Sequence, residues 1–270
     1  MGSDLGSQTT YRAAPAQSGR APPGAPAYLG SALLLLAIWQ VAVLLSAGSA
    51  RRFLIPTPGE VLGRLGELVA SGAIAHHAGV TLLEMGLGLA VGTIVALVLG
   101  YAVAHSRLLA ALFEPIIAVS QAIPIVALAP LLTVWFGSGT TSKVVVCALI
   151  VFFPILVNVT TGLRTIDPPL RDLFKLLSAG RGQTLLHLEI PAALPSIVAG
   201  LKVGGTLAGM GAVVGEFVAS TEGLGYLVKQ GQNLYDLPMM FAAIFCLMAI
   251  ASAVYGGFAL VERAVLRGQA

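Results

Sequence analysis

Residues 172–195 read DLFKLLSAGRGQTLLHLEIPAALP, and this polar, amphipathic stretch decides the fold prediction. It lies between two apolar runs, CALIVFFPILVNVTTGL at 147–163 and IVAGLKVGGTLAGMGAVVG at 197–215. Helices of about 20 apolar residues are long enough to cross a bilayer. We therefore expect the stretch to sit at a membrane surface, where it can lie on lipid or dock a protein.

The composition indicates that lipid is the main solvent of this 270-residue chain, because 57% of its residues are hydrophobic and only 10% are charged. Soluble domains carry about 25% charged residues. The apolar runs are continuous rather than alternating, which favours helices over barrel strands. The sequence thus predicts an all-α integral membrane protein. It has no basic stripe, so we expect no nucleic-acid partner.

Six apolar stretches are predicted to span the membrane. They are residues 28–47, 80–104, 115–136, 143–163, 193–215 and 238–261. Residues 1–27 are rich in Ala, Gly, Pro and Ser and are predicted to form a disordered tail before the six-helix domain at 28–270. Between the first two spans, Thr57-Pro58 and Glu60 form a capping box. This signal predicts a short amphipathic helix over residues 58–71.

Lysines and arginines in the loops predict the orientation. With the N-terminus inside, the inner side holds Arg12, Arg20, Arg107, Arg164, Arg171, Lys175, Arg181, Arg263 and Arg267. The outer side then holds the smaller set Arg51, Arg52, Arg64, Lys143 and Lys229. Arg51 and Arg52 directly follow the first span and count against this orientation. We predict cytoplasmic N- and C-termini, which also places residues 164–192 in the cytoplasm.

The segment from about 166 to 190 is predicted to be a helix–turn–helix. Asp167 can cap the first helix, and Gly180-Arg-Gly182 ends it. A second short helix then runs to Pro191. From these residues alone, binding to anionic lipid and docking of a protein are equally good interpretations.

Four residues are candidates for lining a translocation pathway: Gln121, Pro124, Pro130 and Glu216. Prolines kink a helix, either for packing alone or where the helix faces a cavity. An acidic residue in a span costs about 2.5–3.5 kcal/mol, so Glu216 is expected to face a pathway or to lie near the outer interface. Lys202 is about 21 Å away along the same helix and cannot pair with it. Glu84 is expected at the outer interface.

Small residues recur in the fifth span as the pairs 200/204, 205/209 and 211/215, all glycines. Such spacing lets helices approach closely, and packing within one subunit is favoured over a dimer seam. Cys147 and Cys246 lie in apolar runs and are expected to be unreactive core residues. The histidines show no ligand spacing, so no metal site is expected.

The segment resembles the EAA loop of permease subunits of bacterial ABC importers. That pattern runs Glu-Ala-Ala, three residues, Gly, nine residues, then Ile-x-Leu-Pro. Aligned on Pro191, Leu188 and Ile190 take the apolar places. Asp172-Leu173-Phe174 falls on Glu-Ala-Ala, and Ser178 falls on Gly. The first half therefore departs from the pattern.

Four further stretches resemble the nitrate, sulfonate, taurine and thiamine-precursor branch of this family. They are AIPIVALAPLLTVWFG at 122–137, FFPI at 152–155, and VGEFV at 214–218 followed by GLGY at 223–226. The resemblance covers roughly residues 51–263. It implies the architecture of a type I ABC importer permease with a cytoplasmic coupling helix.

The resemblance also implies partners. Two permease subunits, expected to be a homodimer, would bind two ATPase subunits, and an extracytoplasmic binding protein would deliver substrate. The chain contains no G-x-x-x-x-G-K-[ST] sequence, so ATP and Mg²⁺ are expected on the partner ATPase and no cofactor or catalysis on this chain. The implied docking residues are Arg171, Asp172, Leu173, Phe174, Lys175, Leu176, Leu177, Ser178, Ala179 and Arg181.

The implied function is import of a small polar solute across the bacterial inner membrane. The solute is a vitamin or vitamin precursor such as riboflavin or the thiamine pyrimidine, or else nitrate, a sulfonate or taurine. The main alternative is a self-contained secondary transporter, which would show an internal repeat with broken helices in both halves. A membrane enzyme would need a nucleophile–base pair or H-E-x-x-H, and the sequence has neither.

Overall fold

The computed structural model describes residues 25–46, 55–120 and 124–267, and its regular elements there are all helical, as predicted. The helices are α1 (Ala25–Ser46), α2 (Pro58–Ala70), α3 (Ala73–His105), α4 (Arg107–Ser120), α5 (Ile125–Phe136), α6 (Thr140–Arg164), α7 (Pro168–Leu176), α8 (Arg181–Thr184), a π-helical turn (Leu185–Glu189), α9 (Ile190–Ala219), α10 (Leu224–Leu234) and α11 (Leu237–Arg267). α1 belongs to one compact unit, and the other helices belong to a second.

Four continuous helices in the described part of the chain are long and apolar enough to cross a membrane. They are Ala73–His105, Thr140–Arg164, Arg181–Ala219 and Leu237–Val265, which contain the whole of the predicted second, fourth, fifth and sixth spans. α1 begins at Ala25 and covers nearly all of the predicted first span, 28–47. The predicted tail lies mostly outside the described residues. The count of six spans stays a prediction.

The predicted third span, 115–136, is not one kinked helix. It is divided between α4 and α5, which are inclined by 105° to each other. Pro124 stands immediately before α5. Proline has no amide hydrogen and disfavours helical geometry at the residue before it, so a helix cannot run through this point undisturbed. Pro130 is accommodated inside α5. Gln121 falls outside the described residues.

The centre of the second unit is formed by α3 and α9, which pack on α6 through glycines. A Cβ atom added to Gly204 would lie 2.7 Å from the side chain of Ile155, and one on Gly211 would lie 2.7 Å from the Cα of Cys147. On α3, Gly100 faces Val159 in the same way. These contacts confirm that the glycines of the fifth span serve packing within the subunit. Cys147 is a free, fully buried thiol.

The helix predicted at 58–71 is α2, and its capping box is formed as predicted. The Thr57 Oγ1 accepts from the Glu60 amide at 3.2 Å, and the Glu60 carboxylate accepts from the Thr57 amide at 2.8 Å. α2 is fixed to the start of α11 by Arg64, whose guanidinium lies 2.8 Å from Asp236. Local sequence signals therefore specified this element fully.

The 166–190 segment differs from its prediction in its second half. α7 begins after Asp167, at the capping position, but the Asp167 side chain makes no capping hydrogen bond. No separate second helix ends at Pro191, because α8, the π-helical turn and α9 form one run, Arg181–Ala219. Pro191 cannot donate to the carbonyl four residues earlier, and a wider π-helical turn accommodates it without breaking the helix.

Candidate functional site

α7 exposes a row of leucines at the ends of the spans. Leu173 and Leu176 are 48% and 83% exposed, and Leu177 just after the helix is 69% exposed. Exposed leucines on a short polar helix are not explained by packing within this chain. An apolar stripe of this kind fits a groove on a partner protein.

The opposite side of α7 holds the helix to the bundle. Phe174 is partly buried and packs against the main core cluster. The Arg171 guanidinium donates to the carbonyl of Leu163, at the end of α6, at 2.5 Å. Lys175 pairs with Asp172 at 2.9 Å on the exposed surface. α7 is therefore anchored on one face and free on the other.

α7 ends in a Schellman motif centred on Ser178. The Ala179 amide donates to the Phe174 carbonyl at 3.0 Å, and the Ser178 amide donates to the Lys175 carbonyl at 2.9 Å. Ser178 has φ +52°, in the left-handed region where glycine is favoured. The family pattern has glycine at this place, so the departure seen in the sequence leaves the turn intact and only adds strain.

The predicted docking residues are thus brought together on α7 and its terminal turn, except for Arg181, which begins α8. They do not form one surface. Leu173, Leu176 and Leu177 point outward, whereas Phe174 and Arg171 face the bundle. Their role in docking remains a prediction.

Glu216 lies in a buried polar cluster at the other end of the spans. Its carboxylate accepts from Thr81 Oγ1 at 2.6 Å and from the amide of Gly225. The Leu224 amide in turn donates to Thr81 Oγ1 at 2.8 Å. Glu216 therefore fastens the start of α10 to α3 and α9. This arrangement puts Glu216 in neither an open pathway nor an exposed interface of this chain.

Glu84 was expected near the outer interface, and its side chain is not exposed there by this chain. It is fully buried and lies 3.1 Å from the Nζ of Lys143, which is 6% exposed. Both residues lie near the ends of predicted spans in the sequence. The packing of α3 on α6 buries them together within the chain. Lys202 pairs with Glu262 of α11 at 2.7 Å, in agreement with the exclusion of a Glu216 partner.

A cavity of about 330 Å³ lies between the α4–α5 break and α6. It is lined by Ser120, Ile125, Ile150, Phe153, Pro154, Val157 and Asn158. None of these side chains is charged. The cavity begins next to the predicted pathway residue Pro124, because Ile125 follows it directly. Pro130 is exposed on α5 and does not line the cavity.

No group of three or more His, Cys, Asp or Glu side chains within 25–46, 55–120 and 124–267 is placed to hold a metal ion. Apolar spans, a broken helix beside a cavity without charged lining residues and an exposed leucine face on α7 together suit a transport subunit.

Residues 88–267 match the family described as binding-protein-dependent transport system inner membrane component. The chain belongs to this family. It is 43% identical over 238 residues to the riboflavin transport system permease protein RibX of Chloroflexus aurantiacus, which covers 88% of each chain. It is 32% identical over 231 residues to the formylaminopyrimidine transport permease protein ThiX of Halalkalibacterium halodurans, covering 86% of this chain and 90% of that one.

The fold of this family member is also found in solved structures. The MetNI methionine ABC transporter in an inward-facing conformation matches with a TM-score of 0.64 over 73% of this chain and 97% of that chain, at 17% identity. The solved structure shows the fold, whereas the family match and the curated relatives confirm the resemblance to ABC importer permeases and show that the chain is a multi-pass membrane protein. Its relatives are transport permeases rather than enzymes.

The sequence did not reveal the Glu84–Lys143 pair, the loop anchor at Glu216, or the contact of His105 with Glu189 at 2.7 Å. Each joins residues on different helices. A helical wheel for α3 would place Thr81 and Glu84 on one face, and that was the available signal for the buried cluster.

Proposed function

We propose that this chain is the membrane-spanning subunit of an ATP-driven importer for a small, polar, uncharged solute of the vitamin or vitamin-precursor class. The leucine face of α7 carries the proposal, because three leucines at or beside one short helix are exposed while Phe174 anchors it. That face would dock an ATPase subunit. ATP and Mg²⁺ would be bound by the ATPase, and this chain would supply the path.

The proposed assembly contains two copies of this chain, two ATPase subunits and an extracytoplasmic binding protein in the bacterial inner membrane. The termini of this chain and the 166–190 segment would lie in the cytoplasm. ATP-driven closure of the ATPases would move α7, and through Arg171 and Leu163 the end of α6. Such coupling requires that closure favours one of the two access states of the spans.

The solute class is supported by the cavity beside the α4–α5 break, because none of its lining side chains is charged. A pathway for nitrate, sulfonates or taurine would be expected to offer cationic groups. The more similar relatives are named for riboflavin and formylaminopyrimidine, at 43% and 32% identity, whereas those named for aliphatic sulfonates and taurine are 29% and 26% identical.

The docking proposal is tested by purifying the tagged chain from its native membrane and measuring ATP hydrolysis in the sample. Replacing Leu173 and Leu176 by Asp is expected to remove the ATPase. Leu234→Asp is the matched control, since Leu234 is 64% exposed at the end of α10. Retained ATPase in the double variant would contradict docking on α7. Transport by the chain in liposomes with no ATPase bound would favour the secondary-transporter alternative.

The solute proposal is tested with the intact complex. The ligand retained by the co-purified binding protein is identified by mass spectrometry, and its uptake is measured in proteoliposomes. A neutral heteroaromatic ligand is expected. Retention and uptake of a sulfonate or nitrate would overturn the solute class while leaving the ATPase-dependent mechanism in place.

A further inference from the structure

The basic residues of α7 lie on the helix face opposite the leucines. Arg171 and Lys175, one helical turn apart, line a cavity of about 520 Å³ together with Arg181 of α8. Phe174 lies between them in sequence and packs against the core, which shows that this face is turned toward the bundle. The leucines and the cavity are on opposite faces of α7, so a protein bound to the leucine face would not contact the cavity.

The cavity lies where the spans end. Tyr101 and His105, from the last two turns of α3, form one wall, and Glu189, the residue before α9, forms another. In a membrane, the ends of spans lie at the level of the lipid headgroups. The cavity is therefore placed between the bundle, the headgroup layer and the aqueous phase.

The acidic group in the cavity already has a partner. Nε2 of His105 lies 2.7 Å from Glu189, and Nδ1 lies 2.9 Å from the carbonyl of Tyr101. Glu189 is therefore held by His105, and within the described ranges no ion pair joins it to an arginine.

The two arginines are left with unused donors. Nε of Arg171 is buried and has no hydrogen-bond partner, although another nitrogen of the same guanidinium binds the Leu163 carbonyl. Arg181 makes no ion pair with any residue of the described ranges. A buried donor without an acceptor in a native fold indicates a missing partner, here one that carries negative charge.

We propose that this cavity binds a phosphate group between Arg171 and Arg181. Each guanidinium group can bind two phosphate oxygens through paired N–H donors. Two guanidinium groups therefore offer more donors than a single chloride ion can use. The phosphate can belong to an acidic phospholipid headgroup or to a soluble phosphate. Bound there, it would connect α7 to α8 and hold the leucine face in position. This site does not depend on the proposed ATPase partner.

The test uses the full chain in nanodiscs of phosphatidylcholine with or without phosphatidylglycerol, and native mass spectrometry of the lipids it retains. Wild type is expected to retain phosphatidylglycerol selectively. Arg181→Gln is expected to reduce that retention by roughly tenfold, the effect of losing one charge-assisted contact. Arg263→Gln is the matched control, because it removes an exposed arginine from α11.

A second measurement separates the two phosphate sources. Hydrogen exchange of peptides from 171–189 is followed in phosphatidylcholine nanodiscs with and without inorganic phosphate. Protection by inorganic phosphate that disappears in Arg181→Gln, without lipid selectivity, would assign the site to a soluble phosphate. If neither probe distinguishes Arg181→Gln from wild type, the proposal is wrong. It is also wrong if the variant retains lipid normally but releases an ATPase.

Discussion

The core formed by α3, α6 and α9 and the segment at 166–190 use the same residue types in opposite ways. In the core, Glu84 and Lys143 are buried and lie 3.1 Å apart, and the glycines receive side chains of α6. In the segment, Leu176 is 83% exposed and the Arg171 guanidinium retains an unused donor. The buried lysine of the core has an ion-pair partner within the chain, whereas the exposed leucine of the segment has most of its surface left uncovered by the chain.

This difference shows which part of the molecule is complete within one chain. The ion pair and the glycine contacts of the core join helices of the same chain, so its stability should respond to substitutions in the isolated protein. The segment presents exposed leucines and a buried arginine donor that has no acceptor in the described residues. Its substitutions should leave the isolated protein stable and change what it binds.

The largest effect on stability is expected from Lys143→Met. Met keeps most of the volume but leaves the Glu84 carboxyl buried beside no cation. Breaking a buried ion pair from one side costs about 3–5 kcal/mol. We expect this loss in the free energy of unfolding of the detergent-solubilised chain, measured by denaturant or thermal unfolding.

The control is the double variant Lys143→Met with Glu84→Gln, which removes both charges. Most of the lost stability should return, because no uncompensated charge remains. Wild-type stability in the single variant would show that the ion pair does not hold α3 to α6. The core would then not differ from the segment in having charges paired for stability.

A smaller loss is expected from Gly211→Ala. Its Cβ would lie 2.7 Å from the Cα of Cys147, a backbone atom that cannot move aside cheaply. Overpacking of this kind costs about 1–3 kcal/mol. Gly209→Ala is the control on the same helix, since the nearest atom to its Cβ is the Cε of Met85 at 3.5 Å. Equal unfolding free energies for the two variants would contradict glycine-mediated packing of α9 on α6.

The sequence correctly predicted the helices that are determined by signals within a short stretch of chain. The capping box at Thr57 and Glu60 predicted α2 to within a residue, and the apolar runs predicted the four continuous spans. The pattern from Asp167 onward predicted α7, because proline at the start and a helix-breaking stretch after it are short-range signals. The glycine spacing of the fifth span predicted its use in packing.

What the sequence could not predict depends on contacts between helices. Glu84 and Lys143 are 59 positions apart, and nothing in either neighbourhood shows that their side chains meet. The hydrogen bond from the Gly225 amide to the Glu216 carboxylate forms only because the chain reverses after α9 and brings the start of α10 beside it. The continuous run through Pro191 was missed because proline normally argues for a helix end, and here a π-helical turn absorbs it.

On the segment side, Ser178→Gly is expected to raise the free energy of unfolding by about 1 kcal/mol. Ser178 has φ +52°, and a Cβ in the left-handed region is strained, although glycine also gains entropy in the unfolded chain. Ser178→Ala keeps the Cβ and is the control, with no gain expected. Equal behaviour of the two variants in thermal unfolding would show that the Schellman turn carries no strain.

The smallest effect on stability is expected from Leu176→Ala. Leu176 is 83% exposed, and exposed positions outside special features usually change the unfolding free energy by less than about 0.5 kcal/mol. Leu156→Ala is the matched control, because Leu156 is 1% exposed and truncation of a buried leucine costs about 2–5 kcal/mol. Both variants are measured in detergent without partners.

The two leucines together decide whether the comparison holds. If Leu176→Ala is as damaging as Leu156→Ala in the isolated chain, the leucine face packs against the chain itself and the segment is no more open than the core. If Leu176→Ala is silent alone but weakens the purified complex with an ATPase, the same side-chain type stabilises the fold at position 156 and the assembly at position 176. The contrast then follows from burial alone, since the residue and the substitution are identical.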